Sequence, residues 1–356
     1  MACRVEVGGG EAASPSPAAV AMEAETLRVV CPARLPGLEL PPPVHVGVEA
    51  SRLLPDGEGL LVVADGGGLY RHTAGGTRRL LEGGRDYALA GERLARLEED
   101  RIETFDYRSG EAPVPRARLP AQGHDVSVAL LGGEALVHSA FNERALVLRR
   151  SLDDGAIQGA LLPVRRNLFW SLLRGPEHLH EDEGLLLGEG PWLLHVPVVR
   201  DPVQALQMRT GRHWILELAD GERGEVRLEG KTRREVQSCP GCPRRVKLSS
   251  GRVSVVPLYA GAIIDEDIFW ILRLDPPGSS RAALLRVTVE APEVRAWRLA
   301  FPTPPGALAV WRDSLAIAAG PDLWRVPLPE PRTGALCALD EGVHARGGED
   351  WPPAGG

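Results

Sequence analysis

The chain has 356 residues, of which 41 are glycine and 31 are proline, so turn-forming residues interrupt it too often for long helices. Hydrophobic residues make up 44% of it, enough for a sizeable core. Its 48 acidic and 41 basic side chains give a net charge of −7, the wrong sign for an electrostatic grip on a phosphate backbone. Composition therefore favours an all-β protein and argues against nucleic acid as its main partner.

Both ends of the chain are predicted to be disordered tails. Residues 1–25 consist mostly of Gly, Ala, Pro, Ser and Glu, which offer too little apolar surface to offset the entropy cost of ordering. Residues 341–356 have the same character. One folded domain is expected between them, over residues 26–340.

The sequence predicts a protein without a membrane span. No apolar stretch is long enough to cross a bilayer, and the N-terminus lacks the apolar core of a signal peptide. As printed, the chain is expected to be cytoplasmic. One alternative is that Cys3, followed by a run of small residues, begins a surface lipoprotein whose leader has been removed.

Short strands separated by glycine turns recur along the chain. The clearest example is Leu60–Ala64, a turn at Asp65–Gly68, a strand at Leu69–His72 and a second turn at Ala74–Gly76. Asp-Gly and Gly-Gly pairs supply the positive φ angles that tight hairpins require. Six repeats of this kind are predicted, at about 45–84, 85–120, 121–164, 165–230, 251–302 and 306–335.

Two segments also fit a helical pattern. Residues 88–105 form an amphipathic pattern broken at Gly91, but their position relative to the neighbouring repeats favours strands. Residues 168–174 tolerate a helical turn.

The repeats predict an all-β fold, a six-bladed β-propeller of four-stranded antiparallel blades. The first repeat resembles the NHL repeat of six-bladed propellers, with Pro55 and Gly57 ahead of an apolar run that ends in Ala64-Asp65, and a second strand at Leu69–Arg71. This resemblance implies a ring of blades with a binding face. It assigns no catalytic residue, because NHL-like propellers include both enzymes and interaction modules.

Cys239 and Cys242 form the most specific local motif, Cys-Pro-Gly-Cys. Two thiols at this spacing suit a local disulfide or turn, half of a zinc site, or a redox dithiol. Zinc requires two further ligands, and Cys3, Cys31 and Cys337 are isolated in the sequence. The residues that follow the motif indicate a loop running into a strand, whereas a redox dithiol needs a helix. A structural turn or local disulfide is therefore the favoured interpretation, and no metal site is assigned.

Histidines are the other candidate ligands. The acidic segment Glu177–Glu183 contains two histidines at i and i+2, which suits a metal site on a strand or a solvated connector in a loop. His124, His138 and His195 are scattered over the third and fourth predicted repeats, and histidines from separate repeats could meet in the central channel of a propeller. The more common fate of such residues is burial between strands with a backbone partner.

Motifs for catalysis are missing from the sequence, which contains no Gly-x-Ser-x-Gly, no Walker loop and no His-Glu-x-x-His. Gly66–Gly68 precedes a strand and not a helix, so it does not predict a phosphate loop. Most tryptophans, including those at 170, 192, 214, 270, 297, 311 and 324, are expected to pack between blades.

These observations predict a non-catalytic binding or scaffold module for a protein partner, without a cofactor, a metal or an assigned catalytic residue. One alternative is a metal-assisted lyase or hydrolase with histidines in the central channel. The other is the surface-tethered lipoprotein.

Overall fold

Strands make up nearly all regular structure in the computed structural model of this chain. Within the described residues, the one helical element is a single 3-10 turn, Pro331–Thr333. None of the described helical segments is long and apolar enough to cross a membrane. The predicted all-β class is confirmed. The structure describes residues 24–121, 125–139, 145–163, 184–199, 202–220, 222–229, 235–237, 245–247 and 252–341.

The first half of the chain contains three four-stranded antiparallel sheets, in each of which every strand pairs with the strand that follows it. Two strands precede these sheets, β1 (Ala24–Val30) and β2 (Val44–His45). The three sheets comprise β3 (Ala50–Asp56), β4 (Gly59–Ala64), β5 (Leu69–Thr73) and β6 (Gly76–Leu81); β7 (Asp86–Ala90), β8 (Arg93–Leu97), β9 (Arg101–Asp106) and β10 (Val114–Pro120); and β11 (Asp125–Leu131), β12 (Glu134–Ser139), β13 (Ala145–Ser151) and β14 (Ile157–Pro163).

The second half repeats this pattern with one insertion. Two further groups of four consecutive antiparallel strands lie on either side of an inserted segment of four strands, in which the first pairs with the last and the second with the third. A last group of three strands is followed by the last described strand. The strands are β15 (Gly184–Glu189), β16 (Trp192–Pro197), β17 (Val203–Gln207) and β18 (His213–Leu218); the insertion strands β19 (Glu225–Glu229), β20 (Glu235–Gln237), β21 (Arg245–Lys247) and β22 (Arg252–Val256); β23 (Tyr259–Asp265), β24 (Ile268–Leu274), β25 (Arg281–Thr288) and β26 (Glu293–Ala300); and β27 (Pro305–Trp311), β28 (Ser314–Ala319), β29 (Asp322–Pro327) and β30 (Ala335–Glu341).

The sheets pack face to face around a closed ring. Strand β4 shows why, because its apolar side chains are buried on both faces: Leu60 and Val62 pack against the sheet of β27–β29, and Leu61 and Val63 against the sheet of β7–β10. The first strand of each set contacts the first strand of the next, from β3 through β7, β11, β15, β23 and β27 back to β3. A ring of four-stranded antiparallel sheets of this kind is a β-propeller.

The N-terminal segment closes this ring. Strand β2 pairs with β29 and completes that sheet as its fourth strand. The segment thereby joins the first and last sheets of the ring through main-chain hydrogen bonds. The repeat predicted for 306–335 did not include this strand, since it lies more than 250 residues away in the sequence.

The first and last described strands meet at a second junction. Strand β1 runs parallel to β18 and antiparallel to β30, and β30 also pairs with β26. Together they join β15–β18 and β23–β26 into one ten-stranded sheet. A disulfide links Cys31 to Cys337 across 306 positions of sequence. These two cysteines are isolated in the sequence but paired in the structure, because β1 and β30 lie side by side.

One other sequence prediction is confirmed, and several lie outside the described residues. Residues 88–105 form β7, β8 and most of β9, so the strand interpretation of that segment is confirmed. The predicted tails lie almost entirely outside the described residues, as do 168–174, and those predictions stay untested.

Candidate binding site at the mouth of the channel

One end of the ring opens into a cavity of about 920 Å³. It is lined by the last residues of the inner strands β3, β7, β11, β15 and β23 and by the turns that follow them, with Val310 of β27 and the β9–β10 loop completing the wall. We call this cavity the channel mouth. Its wall is mixed, with apolar side chains such as Leu89 and Ile263 below a rim of charged ones.

Two-residue turns between each inner strand and its neighbour build the rim. At least one residue of each turn adopts a left-handed conformation, as at Gly57 (φ 54°) and Gly91 (φ 56°), which glycine adopts without steric cost. Glu266 (φ 55°) and Arg312 (φ 60°) occupy the corresponding turn positions after β23 and β27. A charged residue is therefore held at the rim where glycine would be the easier choice.

Three carboxylates at the rim have no ion-pair partner in the described part of the chain. Among the described residues, Glu189, Asp265 and Glu266 form no ion pair with any Lys, Arg or His. Burial in the cavity wall and the nearby negative charge of Asp265 both raise the pKa of Glu189. This side of the channel mouth therefore carries an uncompensated negative field.

A different carboxylate of the rim is fully engaged. Arg71 Nε donates to Asp56 Oδ2 at 2.5 Å, and the Tyr107 hydroxyl donates to the same oxygen at 2.8 Å. Burial and then the bond to Asp56 raise the pKa of Tyr107 to about 12. The phenol therefore stays protonated near neutral pH and acts as a donor, so neither group is poised as a catalytic base.

A buried guanidinium lies across the channel below the rim. Arg52 of β3 is 5% exposed; its Nη1 donates to Asp86 Oδ2 at 2.8 Å and to the Val128 carbonyl at 3.0 Å, and its Nη2 donates to the Leu186 carbonyl at 2.8 Å. Asp86 Oδ2 also accepts from the Ser127 hydroxyl at 2.7 Å. This network ties β3, β7, β11 and β15 together. Arg52 Nε makes no hydrogen bond to any of the described residues.

A second cavity of about 680 Å³ continues the channel mouth across the sheet of β7–β10. Both cavities are lined by Ala90, Glu92, Tyr107 and Arg108. Glu92 and Arg108 form an exposed ion pair at 3.5 Å on the shared wall. The two spaces together form a groove that leads outward from the ring axis.

Most of the sequence-predicted candidates lie outside the described residues. Cys239 and Cys242 lie outside the described residues, between β20 and β21, and their chemistry stays a prediction. His124 and Glu177–Glu183 are likewise outside the described residues.

His138 and His195 do come together, although not in the channel. They lie on the second strands β12 and β16, and their ring centroids are 4.6 Å apart. Both are buried between two neighbouring sheets, and His138 Nδ1 lies 3.4 Å from the Gly184 carbonyl. The favoured interpretation, burial between strands with a backbone partner, agrees with this arrangement, and the channel alternative is wrong for this pair because inner strands, not second strands, line the axis. Within the described residues no three metal-ligating side chains converge.

The tryptophans are packing residues, as predicted. Six of the seven named in the sequence analysis are buried, with exposures of 7% or less, and the seventh, Trp170, lies outside the described residues. Trp192 also donates its Nε1–H to Asp267 Oδ1 at 2.7 Å, which joins two neighbouring sheets.

Sequence reasoning missed the residues that build the channel mouth. Arg52, Glu189 and Asp265 are single charges at the inner strands and match no motif. One signal was available: Glu266-Asp267 stands at a hairpin turn where related turns of this chain contain glycine.

Comparisons with known proteins give low similarity throughout. No family model matches the chain, and no curated protein does. The β-propeller domain of Myceliophthora thermophila Cps50 (Swd1) is 10% identical with a TM-score of 0.45, covering 82% of this chain and 100% of that one. Myxococcus xanthus glutaminyl cyclase is 11% identical with a TM-score of 0.40, covering 89% and 99%.

Staphylococcus aureus virginiamycin B lyase is 9% identical with a TM-score of 0.45, covering 83% of this chain and 99% of the lyase. The three named proteins differ in kind, and similarities at this level do not discriminate among their functions. The assignment of a β-propeller rests on the ring of sheets itself.

Proposed function

We propose that this chain is a non-catalytic binding module, a six-bladed β-propeller whose channel mouth receives a segment of a protein partner. The count of six takes β15–β18 and β23–β26 as separate blades of the ten-stranded sheet and β2 with β27–β29 as another. Membership of the NHL-like group remains a prediction from one repeat.

The observation that carries this proposal is the channel mouth and its continuation. The two cavities, of about 920 Å³ and about 680 Å³, share a wall, and together they exceed the roughly 300–1,000 Å³ of a typical small-molecule pocket, which suits an extended chain. Asp56 in the wall of the channel mouth is held by Arg71 and Tyr107, so this carboxylate supports recognition better than proton transfer.

Selection from a displayed library of random dodecapeptides tests the proposal. Ala90 is exposed and lines both cavities, so Ala90→Trp blocks the groove without changing charge. Ala338→Trp is the matched control, because Ala338 is exposed on β30 at the outer edge of the ring. Peptides enriched on the wild-type protein should bind the control variant and should not bind the Ala90→Trp variant. Failure to enrich any peptide, or equal binding to both variants, would contradict a role for the channel mouth.

A metal-assisted lyase or hydrolase has weaker support. The histidine pair that could hold an ion is 0% and 2% exposed, which gives a substrate no access to it. Metal analysis of the purified protein tests this alternative. A stoichiometric ion that is lost in His138→Gln and His195→Gln would favour it over the binding module.

We further propose that the protein works in an oxidising compartment, in place of the cytoplasmic location expected from the sequence. The support is the disulfide between Cys31 and Cys337, because such bonds persist outside reducing cytosol. The protein should be treated with an alkylating agent as it is extracted from its native host, and its mass then measured. Cys31 and Cys337 should carry no alkyl group. Alkylation of both would favour the cytoplasm.

A further inference from the structure

We propose that the segment bound at the channel mouth is basic, with Lys or Arg side chains at the rim. This inference rests on the proposed function and specifies the chemistry of the partner.

The charge balance of the cavity wall is the first argument. Four charged residues of the wall have a counter-ion within the described residues: Arg52 pairs with Asp86 at 2.8 Å, Asp56 with Arg71 at 2.5 Å, and Glu92 with Arg108 of the same wall at 3.5 Å. The remaining charged lining residues are all acidic, namely Glu189, Asp265 and Glu266. The channel mouth therefore presents about three uncompensated negative charges to its ligand.

These charges are grouped on one side of the opening. Glu189 ends β15, while Asp265 ends β23 and Glu266 follows in the turn, and β15 and β23 are neighbours in the ring. Their mutual influence is reflected in the raised pKa of Glu189, to which Asp265 contributes. A concave site with one sign of charge concentrates the opposite sign, so a cationic segment is favoured and an acidic one repelled.

Arg52 at the floor of the cavity does not offset this negative charge. It is 5% exposed, and its Nη1 pairs with Asp86 at 2.8 Å, so its positive charge is compensated within the wall. It lies four residues before Asp56 on β3, which at about 3.3 Å per residue places it roughly 13 Å below the rim.

Size argues against a simple cation as the ligand. The channel mouth alone is about 920 Å³, far more than an ion needs, and in the described part of the chain no three ligating side chains converge. The groove toward β10 gives the rest of an extended segment a path out of the mouth.

Fluorescence anisotropy with two labelled dodecapeptides tests the inference. The first probe alternates Lys and Gln, and the second alternates Glu and Gln. The rim variant Glu189→Gln/Asp265→Asn removes two carboxylates at the mouth. The control Glu39→Gln/Glu49→Gln makes the same change in charge at exposed positions, and Glu49 precedes β3 at the end opposite to the mouth.

The wild-type protein should bind the Lys-Gln probe, more weakly as salt is raised, and should not bind the Glu-Gln probe. The rim variant should weaken binding about tenfold and the control less than about twofold. Thermal melting confirms that each variant is folded.

The outcomes separate the two proposals. Equal loss in the rim variant and the control, or no binding of the Lys-Gln probe, would overturn the basic segment. If the library then still yields peptides that require an open mouth, the binding module stands and only its ligand class is wrong. If Ala90→Trp binds the Lys-Gln probe as the wild type does, the mouth is not the site and both proposals fail.

Discussion

His213 is expected to make the protein less stable in weak acid. It lies in β18, is 6% exposed, and its Nε2 is 3.2 Å from Oε1 of Gln204. Burial lowers the pKa of this histidine from 6.5 to about 4 in the folded protein. The folded state therefore holds the imidazole neutral at pH values where the unfolded chain protonates it.

The direction and size of the effect follow from this difference. Above pH 6.5 the imidazole is neutral in both states and makes no pH-dependent contribution. Between pH 6.5 and about 4 the unfolded chain binds a proton that the folded protein does not, so the free energy of unfolding falls by roughly 1.4 kcal/mol per pH unit. The loss from this one group reaches about 2 kcal/mol at pH 5 and levels off near 3 kcal/mol below pH 4.

Urea unfolding of the wild type and of His213→Gln, followed by circular dichroism from pH 7.5 down to about pH 5, measures this term. Glutamine keeps a polar side chain beside Gln204 but binds no proton. The difference in unfolding free energy between the two proteins should shift by about 2 kcal/mol across the range, with the wild type losing more. His45→Gln, at an exposed histidine of β2, controls for the loss of an imidazole as such. Parallel pH profiles for wild type and His213→Gln would refute the reasoning.

Two further predictions concern how the ring is held together. Arg52→Met leaves Asp86 buried without its counter-ion and should lower the free energy of unfolding in urea by about 3–5 kcal/mol. The exposed control Arg298→Met should lower it by less than about 0.5 kcal/mol. A loss below about 1 kcal/mol for Arg52→Met would show that the network is not needed to hold β3, β7, β11 and β15 together. Cys31→Ser/Cys337→Ser should lower stability by about 2–4 kcal/mol because the bond links positions 306 residues apart. Reduction of the wild-type protein should cause the same loss, and unchanged melting in both cases would show that β1 and β30 stay paired without the disulfide.

Local pattern was enough to predict the strands but not their partners. The apolar run Leu60–Val63 and the glycine turns around it predict β4 and β5 from neighbouring residues alone, because hairpin formation depends on local backbone preferences. The pairing of β2 with β29, and of β1 with β18 and β30, depends on contacts between distant parts of the chain, so no local signal encodes it.

The residues of the candidate site were harder to predict from the sequence than the strands were. His138 and His195 were named from the sequence and do meet, but whether they reach the channel depends on which strand of each blade faces the axis. Cys239 and Cys242 gave the sharpest motif and lie outside the described residues, so the sequence hypotheses about them are unchanged. The channel mouth depends on single charges brought together from separate sheets.

The sequence by itself therefore determined an all-β chain of glycine-punctuated hairpins, since alternation of apolar residues and turn chemistry act over a few residues. Tertiary structure alone decided that the two ends of the chain join through Cys31 and Cys337, that Arg52 crosses the channel to Asp86, and that Glu189 meets Asp265 at its rim. These contacts arise only when a ring closes, because closure brings together residues that are dozens to hundreds of positions apart.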